Sequence, residues 1–208
     1  DPFSEILLNK SVNNIKSLNF FKTVRSDIIT NDDNNTKIIN FTVEEKPTGE
    51  LYAAAGAGTS GASFGFGVKE NNFLGKGLGL DTNFLISTES FKGKFTATNP
   101  NYNNSDKSLY ISAEATENDN FTTFGYKTKK TGISFGTNFE YFNDFFLGIQ
   151  NLNYYEVIET NSSASAQQKA QEGNYWDSFI KFNMNYDKRN QKFQTNSGFK
   201  SYYSLDLP

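Results

Sequence analysis

The sequence predicts a mainly β chain: the end of a small α+β module, followed by a long antiparallel array of membrane-barrel type. Three observations carry that expectation. From Leu51 onward apolar and polar residues alternate with the period of two that sends successive side chains to opposite faces of a strand. Aromatic residues make up 16% of the 208, with 21 Phe and 11 Tyr, although mean hydropathy is only −0.61. That combination suits strands with one face toward lipid and the other toward a polar lumen. Glycine, Asn and Thr punctuate the strands while only 4 prolines occur, which fits many strands joined by turns.

Composition also excludes chemistry. Twenty Lys+Arg against 23 Asp+Glu leave a net charge of −3, so no pull on nucleic acid is expected. Cysteine and histidine are both absent. Disulfides, thiolate zinc sites, the commonest general base and any Ser-His-acid triad are therefore ruled out. No catalytic residue, metal or cofactor is expected, and the chain is read as a non-enzyme. No run of about 18 apolar residues marks a transmembrane helix, and no signal peptide is visible. A strand pattern still running at Pro208 suggests a fragment of a longer protein.

In chain order, residues 1–20 read as a helix, with Ser4 as cap and Ile6, Leu7, Val12, Ile15 and Leu18 near helical spacing. Residues 21–29 and 37–45 read as two strands joined at a polar tip, Asn31 to Asn35. The tip lacks the glycine and the distant glutamate of a calcium loop. Helix plus hairpin is the second half of an α+β module. Pro47, within Glu44 to Glu50, ends one sheet before the next begins.

The next strand, Gly49, Glu50, Leu51, Tyr52, Ala53, Ala54, Ala55, Gly56, Ala57 and Gly58, has unusually small side chains. They give little cross-strand packing and a weakly held seam. Two readings stand: a close backbone neighbour, or a seam that opens. A hairpin at Gly58-Thr59-Ser60-Gly61 leads into Ala62, Phe64, Phe66 and Val68 alternating with Ser63, Gly65, Gly67 and Lys69. Asn71 to Leu80 looks like a phosphate loop, but no helix follows and its Gly-Lys-Ser/Thr ending is missing, so it reads as a turn. Leu78, Leu80, Thr82, Phe84 and Ile86 then share a face, with Leu85 an exception opposite.

Strands follow at 91–98, 108–115 and 133–140. In 146–158 the alternation slips near Asn151, predicting a bulge. Residues 161–173, rich in Ser, Ala and Gln, read as a long surface loop. The cleanest strand sets Trp176, Ile180, Phe182, Met184 and Tyr186 against Asp177, Lys181, Asn183, Asn185 and Asp187. Several strands pass ten residues, enough to cross a bilayer at barrel tilt. Tyrosines and Trp176 near strand ends suit interfacial girdles.

The junction resembles a known family. Leu18 to Val24 looks like the end of a POTRA domain, and Val43 to Glu50 like its exit into the barrel of BamA-type outer-membrane assembly factors. Asn72 to Gly77 resembles the turn after their second strand. Tyr186 to Asn190, with Phe193 and Gly198, resembles a later periplasmic turn; Asn99 to Tyr102 echoes another. Thr195-Asn196 departs from the family's usual Pro-Thr, and the family's arginine-bearing loop motif is not in this sequence.

The resemblance implies a 16-stranded outer-membrane barrel with its N-terminal part in the periplasm. Residues 1–46 would end the last POTRA domain, and 47–208 would form the first half of the barrel, about eight strands and the start of a ninth. The implied function is folding and inserting β-barrel proteins, with Gly49 to Gly58 as the client-strand edge. The implied partners are unfolded outer-membrane β-barrel clients, accessory outer-membrane lipoproteins and membrane lipid. Alternatives are a two-partner secretion transporter of the same plan, a passive porin-like channel and a soluble β-sandwich adhesin.

Overall fold

The computed structural model describes residues 3–31, 36–58, 61–105, 107–189 and 195–208. The chain divides into two compact units, Asp1–Gly49 and Glu50–Pro208. No helix among the described residues is long and apolar enough to cross a membrane.

The first unit holds α1 (Glu5–Ser17), β1 (Phe21–Asn31) and β2 (Thr36–Glu45). Ser4 occupies the N-cap position in an extended conformation, but its side chain makes no cap bond. Its carbonyl accepts the first helical bond instead, from the Leu8 amide at 3.0 Å. The helix stops short of the expected Phe20 because Asn19 turns the chain through a left-handed conformation, φ 60°, which Asn tolerates better than most residues. Leu8 is the buried apolar residue of the helix. β1 and β2 pair antiparallel from Asn31↔Thr36 to Phe21↔Glu45, and the Lys46 amide adds one bond to the Phe20 carbonyl at 3.0 Å. The expected tip residues 32–35, calcium-loop question included, lie outside the described residues.

The second unit is one antiparallel sheet of nine strands in chain order: β3 (Gly49–Gly58), β4 (Gly61–Phe73), β5 (Leu78–Ser87), β6 (Ser90–Asn99), β7 (Lys107–Asn120), β8 (Tyr126–Phe142), β9 (Phe145–Thr160), β10 (Gly173–Asp187) and β11 (Lys200–Leu207). Every strand pairs with its sequence neighbour, so the whole is a meander. Residues 59–60 of the expected first hairpin lie outside the described residues.

Register assigns the faces. One row across the sheet runs Val68, Thr82, Phe95, Ala113, Ile133, Asn153 and Ser178; the next reads Gly67, Asn83, Lys94, Glu114, Gly132, Tyr154 and Asp177. The first belongs to an apolar face, where Phe66 stacks on Phe84 at 5.0 Å. The second belongs to a polar face, which carries the Lys94–Glu114 and Lys181–Asp206 pairs at 3.6 and 3.4 Å. A buried hydroxyl pair, Ser112 with Ser134 at 2.7 Å, lies there too, and Gln150 Nε2 donates to Ser134 at 3.0 Å. Leu85 is on the polar face, as the alternation requires. It covers Gly65, whose missing Cβ would lie 3.6 Å from the Leu85 Cδ1.

The bulge expected near Asn151 is absent. β9 holds unbroken register with both neighbours through Asn151, which faces Phe135 and Ile180. The slip in the pattern is chemical: Asn151 and Asn153 stand on the apolar face and Leu152 on the polar one. The register shifts of this sheet fall instead at Glu70/Phe73 and Glu140/Phe142.

The connection 161–172 is also more ordered than a surface loop. It contains α2 (Ala166–Lys169), started by a reciprocal capping box between Ser165 and Gln168. Asn161 pins it to the β7–β8 turn, its amide donating to the Gly125 carbonyl at 2.8 Å and its Nδ2 to the Phe121 carbonyl at 2.9 Å. Ala164, within it, is buried.

Turns at the opposite end are held by backbone geometry. Leu74, Gly75 and Gly77 all have positive φ, and the Asn72 Oδ1 accepts from the Gly77 amide at 2.7 Å. Strand β5 follows directly, so this is a turn and not a phosphate site. Lys188 donates to Asp144 at 2.8 Å, and that bond, with the carboxylate's charge, raises the lysine pKa. Of the motif read from Tyr186 to Phe193, residues 190–193 lie outside the described residues. Gly198 has φ +92°, and a Cβ there would sit 2.1 Å from the Lys188 carbonyl oxygen. Gly198→Ala is therefore expected to destabilise the folded sheet by about 1–3 kcal/mol, read as a lowered denaturant midpoint.

The apolar face has the height of a membrane belt. On β10, Tyr186 and Trp176 are ten residues apart, which at ~3.3 Å per residue and ~40° tilt is about 25 Å. Near Tyr186, Phe142 stacks on Phe145 at 4.7 Å and Phe199 meets Tyr186 edge-on at 5.5 Å. At the other end stand Tyr155 and Trp176, paired across β9 and β10.

Candidate functional site: the edge strand β3

All ten residues read from the sequence as a client-strand edge, Gly49 to Gly58, lie in one strand, and that strand is an edge of the nine-stranded sheet. β3 neighbours β4 on one side; its other side pairs with no strand among the described residues. Each of its residues is exposed. An edge of this kind presents alternate N–H and C=O groups that only another strand, or water, can satisfy.

Seven of the ten residues are Gly or Ala, so the seam between β3 and β4 has little side-chain material. On the polar face the packing is that of small groups. The Ala54 Cβ would lie 3.9 Å from a Cβ at Gly65, and the Ser63 hydroxyl 3.2 Å from one at Gly56. Leu51, Ala53, Ala55 and Ala57 alternate onto the apolar face. At the next seam, between β4 and β5, Phe66 stacks on Phe84. Cross-strand pairs are the main stabilising unit of a sheet, so the β3–β4 seam is weak by composition.

One contact departs from this and was not foreseen. The Tyr52 ring lies over Gly67, where an added Cβ would fall 2.1 Å from Cζ. Gly65 and Gly67 of β4 thus belong to the site, since they leave room for what β3 brings. Their alternation, Gly65-Phe66-Gly67, was visible in the sequence; which strand fills the space depends on register. Glu50 is the only charged residue of the strand, so what the site chiefly offers is backbone edge and shape.

Comparison with known proteins supplies the relationship. Comparison with curated proteins returns no match. Among solved structures, the fold matches the crystal structure of BamA from Haemophilus ducreyi lacking POTRA domains 1–3, with a TM-score of 0.75 and 20% sequence identity. The match covers 97% of this chain and 42% of that one, so the chain spans less than half the length of its structural relative. The Omp85 superfamily domain matches residues 72–207, which begin near the end of β4; the likeness at β3 is therefore one of fold. The chain belongs to the Omp85 superfamily of outer-membrane β-barrel proteins.

Proposed function

We propose that this chain is part of an outer-membrane assembly factor that folds and inserts β-barrel clients, templating the incoming strand on the edge of β3. In this reading residues 1–46 end the last POTRA domain and face the periplasm. Residues 47–208 form the first half of a 16-stranded barrel. Unfolded barrel proteins are the clients, and accessory outer-membrane lipoproteins are the partners.

The observation that carries the reading is the edge position of a strand built from Gly and Ala. An incoming extended segment can add to that edge by β-augmentation, its affinity coming from backbone bonds and not from side-chain pockets. Unpaired backbone in hydrocarbon costs several kcal/mol per group, so such an edge stays closed until a client pairs with it. Small side chains on β3 reduce what must be unpacked when it parts from the barrel's closing strand. No acid–base chemistry is required.

The test locks the seam. A cysteine replacing Ala53 in the full-length protein is joined by a disulfide to one in the barrel's closing strand. Insertion of a client barrel into liposomes is then measured. Insertion should be lost when oxidised and return on reduction, with the barrel folded throughout. Unchanged insertion under oxidation would make β3 a structural strand only.

A further inference from the structure

A cluster of amide and hydroxyl side chains interrupts the apolar face, and client insertion does not use it. Asn151 and Asn153 of β9 and Ser178 of β10 stand together there. Their neighbours in register on that face are Phe135, Ile133 and Ile180. Asn153 Nδ2 donates to the Asn151 Oδ1, and Ser178 Oγ donates to the Asn153 Oδ1 at 2.7 Å. The Asn151 side-chain Nδ2 donates to no group among the described residues. Beside it lies a groove of about 380 Å³, lined on this face by Leu109, Phe135, Thr137, Ile149, Asn151 and Ile180.

Depth makes the cluster informative. Asn153 and Ser178 are two residues along their strands from the Tyr155–Trp176 pair, about 5 Å into the belt at ~40° tilt, and Asn151 is about 10 Å in. Amides and hydroxyls at that depth are expensive unless something there hydrogen-bonds to them. Ordinary glycerophospholipids have their ester carbonyls at the level of the aromatic girdle and only methylenes below. Charge does not choose the ligand. The residues just above the girdle are of mixed sign, with Lys127 paired to both Glu117 and Asp119 and Lys129 opposite Glu117.

We infer that Asn151, Asn153 and Ser178 form a binding site for a membrane lipid whose acyl chains carry a hydroxyl, or an amide link, just below the headgroup. The amides and hydroxyl meet that polar group, and the adjoining groove takes the chain beneath it. The cluster lies at the end of the belt remote from Gly49. With the periplasmic placement of the N-terminal part proposed above, that is the outer leaflet, so the lipid belongs to that leaflet. The inference rests on that sidedness and not on client insertion.

The experiment uses full-length protein in nanodiscs of glycerophospholipid. These are doped either with a phosphoglycolipid bearing amide-linked 3-hydroxyacyl chains or with a matched lipid whose ester-linked chains lack the hydroxyl. Bound lipid is counted by native mass spectrometry, and the unfolding midpoint is measured alongside. Wild type should retain the hydroxylated lipid several-fold over the matched one. The N153L/S178A double variant should lose that preference, while its midpoint in plain glycerophospholipid is unchanged or raised. Equal retention by wild type, or a preference surviving in the variant, would overturn the site. So would crosslinking of Asn153→Cys between two copies, which would make the cluster a contact between copies. Preference seen only when the protein is inserted in the reverse orientation would overturn the sidedness, whereas loss of client insertion with lipid preference intact would leave the site standing.

Discussion

Proline substituted along β3 is expected to divide into two alternating classes with different consequences. In an antiparallel strand the N–H and C=O of one residue point to the same side, and those of the next residue to the other. Ala54 therefore falls in one class, and Ala53 and Ala55 in the other. In the class that faces β4, proline removes a ladder bond and should weaken the β3–β4 seam, lowering the fraction of folded barrel. In the class that faces outward, no bond within the nine-stranded sheet is lost, and the β3–β4 seam should hold. Client insertion should nonetheless fall about tenfold for each ~1.4 kcal/mol of edge bonding removed. Valine at the same positions keeps every N–H and should be milder in both assays. Folding is read by heat-modifiable migration, and insertion by protection of a client from protease. Equal effects at all three positions would remove the edge mechanism.

The second large effect concerns the faces of β10. Phe182 lies on the apolar face between Ile180 and Met184, opposite Ile149 on one side and Leu205 on the other. Asn183 lies on the polar face, where its Oδ1 accepts from Tyr202 at 2.8 Å and Ser204 at 3.0 Å. Phe182 is near the middle of the belt between Tyr186 and Trp176. Phe182→Arg should therefore cost about 2–4 kcal/mol of stability in lipid. Asn183→Arg forfeits two partly exposed hydrogen bonds, about 1 kcal/mol, and its charge remains in a polar lumen. Denaturant unfolding of the complete protein in vesicles separates the two. Equal losses would place both faces in the same solvent.

β10 was legible because each of its apolar-face residues from Ile180 to Tyr186 is large and each of its neighbours polar. β9 was misread for the opposite reason: Asn151 and Asn153 break the hydrophobic rhythm without breaking the backbone. A sequence pattern records solvent preference, while a bulge is a matter of hydrogen-bond register. The capping box at Ser165 and Gln168 was present in the sequence, but four helical residues are too few to show a period. Asn19 ended α1 by a left-handed turn that side-chain periodicity does not encode. At β3 the small side chains could be read directly, and they raised the possibility of a weak seam. That the strand is an edge follows from pairing order, and that Tyr52 rests on Gly67 follows from register; neither is local to the strand.

The central claim is that β3 lends its backbone edge to a client strand, and crosslinking during insertion tests it most directly. Single cysteines are placed from Leu51 to Ala57 of the full-length protein and along one terminal strand of a client barrel stalled midway into the membrane. A templated strand pairs in one register, so disulfides should form only between directly opposed positions, stepping by one residue on each side in antiparallel order. They should disappear once the client is released. Client crosslinks spread without register, or absent from β3 while insertion proceeds at its normal rate, would contradict the account.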